Sequence, residues 1–174
     1  MLKRRSEVVV AILMSLLVSY CLLPRREYTY LALQSNKGEW VGQGREWRMG
    51  SDDSAFEYVQ YVYGKPESGV RVQVRSKTKG GPDFRLCFAA PGEQLLQIGS
   101  YEGAVRHCIH EGKPGMDVSG CGRGNNRLSG RFEVLDIAYG PQGPTRLAIN
   151  FEQDSECRAS QTLTGSIRYH TSVP

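Results

Sequence analysis

The chain has 174 residues, with 22 Lys and Arg against 18 Asp and Glu, for a formal net charge of +4. Half of that excess is local: residues 24–174 carry 19 basic and 17 acidic side chains, so a basic nucleic-acid surface is not indicated and no nucleic-acid partner is expected. All 20 glycines lie between Gly38 and Gly165, dispersed among alternating apolar residues, which excludes a repetitive or low-complexity chain and reads as one domain with many turns.

The first element is an apolar run from Val8 to Leu23, preceded by Lys3-Arg4-Arg5 and closed by Pro24-Arg25-Arg26. Its length falls between the apolar core of a signal peptide, roughly 7–15 residues, and a spanning helix, about 17–25. No Ala-x-Ala pattern ends it, and Tyr20 sits where a lipoprotein box ending at Cys21 needs a small residue. The reading is an uncleaved hydrophobic helix that anchors the chain in a lipid bilayer through residues 8–23, with a cleaved signal or a lipidated Cys21 as alternatives. The heavier positive flank stays inside. Residues 1–26 are therefore anchor or signal sequence. Residues 27–174 form a domain that is periplasmic or extracellular on the cell membrane, or secreted if the signal is cleaved.

Beyond the anchor, period-two alternation dominates. Tyr28–Gln34 is a first strand; Gly38–Gly44 is a turn or bulged strand that Arg45–Arg48 continues. Phe56–Tyr63 is rich in aromatic and β-branched residues and reads as a strand, although Asp52-Asp53 would also suit a helix cap. In Val70–Arg75 the valines face one side and Arg71, Gln73 and Arg75 the other. Phe84–Ala89 and Gly99–His110 follow. Lys113–Gly115 and Gly120–Gly124 bracket a stretch read as irregular. Leu128–Tyr139, Arg146–Gln153 and Leu163–Tyr169 complete the strands. The expected fold is all-β: an antiparallel β-sandwich, jelly-roll-like, or a partly closed barrel.

Four cysteines lie outside the apolar run: Cys87, Cys108, Cys121 and Cys157. An even number in an oxidising compartment suggests two disulfides. Of three possible pairings, Cys87–Cys108 with Cys121–Cys157 is favoured, the second holding the glycine-rich irregular segment. No Cys-x-x-Cys pair supports zinc, and His107-Cys108-Ile109-His110 splits its candidate ligands between two faces. No metal and no cofactor are expected.

Gln34-Ser35-x-x-Gly38-Glu39-Trp40-Val41-Gly42-x-Gly44, Gly120-x-Gly122-Arg123-Gly124, Phe151-Glu152-Gln153 and Leu163-x-Gly165-x-Ile167-Arg168-Tyr169 together resemble a family of bacterial exported all-β domains of unknown function. The resemblance covers nearly all of the exported part. It implies an all-β module and no activity. It also places a cysteine just after Gly-Arg-Gly, where this chain has Asn125 and carries Cys121 instead, so the Cys121–Cys157 link is implied by displacement.

Two functional classes remain. Trp40, Trp47, Tyr58 and Tyr61, with Arg123, are candidate ligand-binding residues for a non-catalytic binding or structural module of the cell envelope, its partner a glycan or a protein. The same rings also suit a core. The alternative is an envelope hydrolase built on Glu152, Asp154 and Glu156, which share a face about 7 Å apart per step if extended. No nucleophile elbow or phosphate loop is present. Arg123, between two glycines, is expected to bond backbone carbonyls or Asp117.

Overall fold

The computed structural model describes residues 26–92, 94–109 and 112–174, apart from the side chains of Tyr58 and Ile109. The expected anchor over residues 8–23, with Cys21, lies outside the described residues. Among the described residues no helix is long and apolar enough to cross a membrane.

Ten strands run β1 (Tyr28–Ser35), β2 (Glu46–Gly50), β3 (Ser54–Tyr61), β4 (Val70–Ser76), β5 (Asp83–Ala89), β6 (Gly99–Arg106), β7 (Gly115–Gly120), β8 (Leu128–Tyr139), β9 (Pro144–Ser155) and β10 (Thr162–Thr171). They form one sheet in the order β2-β1-β10-β9-β8-β6-β7-β5-β4-β3. The fold is thus all-β, but a single curled sheet and not two packed ones. Its two edge strands are consecutive in the chain, separated only by Ser51–Asp53. One bent stretch therefore pairs with β1 through β2 and with β4 through β3. The sheet curls until its edges are neighbouring pieces of the same chain, a nearly closed barrel that leaves little unpaired edge.

Alternation decides what fills it. Val70, Val72 and Val74 are fully buried, as are Phe84, Leu86 and Phe88 on β5. Phe88 meets Phe132 and Phe151 with ring centroids 5.2 and 5.6 Å apart. On β9 the inward phase is Leu147, Ile149, Phe151, Gln153 and Ser155, all buried.

The barrel wall is weakest between β6 and β7, its one parallel pair, which matches only Val105 with Gly115 and Arg106 with Met116. Beyond Met116 the open side of β7 lacks a strand partner. Gln153 supplies one. Its Nε2 donates to the Val118 carbonyl at 3.0 Å and its Oε1 accepts the Val118 N–H at 2.8 Å. A fully buried side-chain amide thus completes a ladder rung, as buried main-chain groups require. The 115–120 segment, expected to be irregular, is a strand because β5 and Gln153 satisfy it from both sides. Gly120 is needed there: a Cβ would lie 2.1 Å from the Phe84 ring.

At the end where β1 begins, the β8–β9 turn docks on β3. Tyr61 donates its N–H to Gln142 O at 3.1 Å and its hydroxyl to Gly140 O at 2.7 Å. Nearby, Asp136 accepts from Arg146 Nε at 2.6 Å and from the Thr171 hydroxyl at 2.5 Å, tying β8, β9 and β10 together. Burial by itself would push the Asp136 carboxyl up, but the Arg146 and Thr171 hydrogen bonds outweigh it and hold the group below its ordinary value.

Two outcomes follow. Gln153→Leu orphans both Val118 groups and should lower unfolding free energy by about 2 kcal/mol or more in urea titrations. Asp136, depressed in the folded state, contributes stability that is present above its unfolded pKa of about 4 and lost as pH falls through the folded value. Acid unfolding of Asp136→Asn should therefore show a shallower pH dependence below about pH 4 than the parent.

Candidate functional site

The end of the barrel opposite the β8–β9 turn is closed by loops. Residues 36–45 join β1 to β2, 77–82 join β4 to β5, 121–127 join β7 to β8, and 156–161 join β9 to β10. The first loop folds inward as a plug, with Val41 fully buried. Its anchor is Glu39, only 2% exposed. The Glu39 carboxylate accepts the Val41 N–H at 3.0 Å, the Gly42 N–H, and the Ser155 hydroxyl at 2.6 Å. A buried carboxylate with no cation beside it is tolerable only because several donors converge on it.

Two of the other loops lock to each other beside this plug. Glu156 accepts the Asn126 N–H at 3.0 Å, and its own N–H donates to Arg127 O at 2.9 Å. Glu156 and Cys157 have φ of 51° and 59°, the left-handed pair of a tight turn closed by Arg158 N–H to Ser155 O at 3.0 Å, which neither residue type favours. Asn125 is 2% exposed, and neither its Oδ1 nor its Nδ2 has a hydrogen-bond partner.

With Glu39 pointing in, Trp40 points out, 53% exposed. The Arg123 guanidinium lies over its ring, 4.3 Å from the centroid. Arg123 also walls an open depression of about 390 Å³ bounded by Gln73, Asp83, Arg85 and the Ser119–Gly124 turn. Asp83 is already engaged by Gln73 at 3.1 Å and Arg75 at 3.5 Å. Arg85 is exposed and makes no ion pair among the described residues.

The expected binding residues therefore separate. Trp40 and Arg123 come together. Trp47 does not join them: its indole N–H donates to Gly42 O at 3.2 Å and its ring packs edge-on against Phe84 at 5.4 Å. Tyr61 is buried at the far end, stacked on Tyr139 at 5.9 Å, and Tyr58 lies in β3. The hydrogen bonds expected for Arg123 are not formed: no backbone carbonyl or carboxylate receives its guanidinium among the described residues, and Asp117 faces Arg106 at 3.6 Å. The Arg123 guanidinium instead lies over Trp40, and no hydrogen bond or ion pair engages its N–H groups among the described residues.

The carboxylate strip does not converge. Glu152 pairs with Arg131 at 3.2 Å, Asp154 accepts the Thr162 hydroxyl at 2.6 Å, and Glu156 serves its turn. The disulfides are also corrected, since Cys87, Cys108, Cys121 and Cys157 are all unbridged. The segment expected to need the 121–157 link is a paired strand ending in a tight turn, with Cys121 and Gly122 at φ of 52° and 74°. Cys87 is buried on β5; burial pushes its thiol up, against the opposing pull of Arg71. Among the described residues no group of three or more His, Cys, Asp or Glu is placed to hold a metal ion. His110 lies outside them.

No protein-family model, curated protein or solved structure matches the chain.

Thiol labelling of the folded protein should modify Cys108, Cys121 and Cys157, with Cys87 reacting only on unfolding. Peptides containing 87–108 or 121–157 links in native material would contradict the unbridged arrangement.

Proposed function

We propose that the chain is a membrane-tethered, exported, non-catalytic binding module whose ligand meets the loop end at Trp40 and Arg123. The observation that carries this reading is the pairing of a half-exposed indole with a guanidinium whose N–H groups have no hydrogen-bond partner among the described residues. A large exposed aromatic on a rigid platform is the usual anchor for a glycan or protein ligand. The platform is rigid because Glu39, Ser155 and Glu156 tie three loops together beneath it. In this reading Val8–Leu23 is the anchor. β1 starts at Tyr28, at the opposite end of the barrel from the loops. The all-β module joins the exported domains of unknown function that its glycine and aromatic motifs resemble. The separately partnered carboxylates Glu152, Asp154 and Glu156 favour binding over hydrolysis.

The intact chain in detergent micelles, applied to a broad array of envelope glycans and to envelope protein extracts, should retain a specific ligand. Trp40→Ala and Arg123→Ala should each weaken that binding about tenfold, the scale of one aromatic or cation–π contact, while the thermal transition stays in place. Retention unaffected by both substitutions, or no retention of any ligand, would overturn the proposal.

A further inference from the structure

The same ledge carries a chemical bias that narrows its ligand. The loops around it hold six outward basic side chains: Lys37, Arg45, Lys79, Arg123, Arg127 and Arg158, all exposed except the half-buried Arg123. The acidic residues of those four loops are Glu39 and Glu156. Neither offsets the basic groups by an ion pair. Glu39 is buried on main-chain N–H groups, and Glu156 accepts Asn126 N–H at 3.0 Å and Arg127 N–H at 3.4 Å. Lys77 turns aside onto Ser51 O at 2.8 Å. Arg85 adds a further cation on the floor of the adjoining depression. Several basic side chains elsewhere sit in ion pairs: Arg75 with Glu57 and Asp83, Arg131 with Glu152, Arg146 with Asp136. The four loops of this end thus set six outward basic side chains against two acids that are already engaged, around the exposed Trp40 ring.

We infer that the ligand of this end is an anionic glycan, its acidic groups held by the forks of Arg123 and Arg85 and a sugar ring packed on Trp40. This rests on the proposed binding role and specifies its substrate class. A guanidinium held over an indole is restrained, and its paired N–H groups suit a carboxylate, sulfate or phosphate bidentately. Surrounding lysines and arginines supply long-range attraction that salt screens. The flat indole next to the cations distinguishes a sugar ring from a simple ion.

The test uses the full-length protein in micelles against immobilised polygalacturonate, a sulfated glycan, poly(glycerol phosphate), neutral dextran and single-stranded DNA. The inference expects retention on polygalacturonate or the sulfated glycan, at least tenfold weaker retention on dextran and DNA, and loss of retention as salt rises from 50 to 500 mM. Binding to polygalacturonate alone assigns the acid as carboxylate; binding to the sulfated polymer as well assigns any planar or tetrahedral oxyanion. Poly(glycerol phosphate) as the preferred polymer would overturn it, because that chain offers charge without a sugar face. Arg123→Ala and Arg85→Ala should each reduce retention at least fivefold, with Arg123→Lys restoring only part. Should Arg123→Ala fail to fold, Lys37→Gln with Arg127→Gln tests the same field at exposed positions. A glycan bound equally well when neutral would overturn the anionic assignment and leave the binding role intact. Equal retention on DNA would overturn it in favour of indiscriminate polyanion adsorption. No retention on any polymer, with array binding also absent, would remove both.

Discussion

The loop end of this barrel depends on one buried carboxylate. Glu39 receives two main-chain N–H groups of its own loop and a hydroxyl from the end of β9. Without those donors a carboxylate could not remain inside, and without the carboxylate two N–H groups and Ser155 would be stranded. The mutual dependence pulls residues 36–44 down into the barrel mouth. It sets Val41 as a plug and leaves Trp40, one residue on, with no place but the surface. Trp47 then closes the other side of the same loop through Gly42.

The barrel uses the same device in its wall. Closing a sheet requires every strand to find partners on both sides, and β7 does not find enough in β6. Gln153 replaces the missing rung from across the interior. Gln153 and Ser155 are neighbours in the inward phase of β9, so one strand repairs both the wall and the mouth. Glu39, Gln153 and Ser155 are thus connectors in this core, their hydrogen-bonding groups met by main chain or by one another. Just beyond Ser155, the left-handed Glu156 and Cys157 form the tight turn from which Glu156 meets the 126–127 segment.

Much of the fold was legible in the residues. Alternating valines of β4 and the long apolar phases of β8 and β9 fix which faces go inside, and turn residues mark most boundaries. β7 was not legible, because Gly-Met-Asp-Val-Ser-Gly is short and flanked by glycines that ordinarily signal a loop. Its glycine at 120 answers to packing under Phe84. Closure through the bent β2–β3 stretch is a property of sheet curvature that no local pattern carries. At the site, the aromatics look equivalent in sequence; the anchoring of Glu39 leaves Trp40 outward, while strand register turns Trp47 and Tyr61 inward. Alternation did contain one overlooked signal. The phase that sets Glu152 and Asp154 outward sets Gln153 and Ser155 inward, and an inward Gln and Ser need partners such as Glu39 and Val118. The even cysteine count did not translate into bridges; the β5 ladder and the Gln153 side chain hold the segment that a cross-link was expected to hold.

The central claim is that Trp40 is the ligand-facing indole while Trp47 serves only the loop. The chain has two tryptophans, so a two-dimensional nitrogen–proton spectrum carries two indole signals. Addition of a uronate oligosaccharide should shift the Trp40 indole resonance progressively, with the Trp47 resonance fixed by its hydrogen bond to Gly42. A response confined to Trp47, or an unmoved Trp40 signal at saturating ligand, would contradict the account.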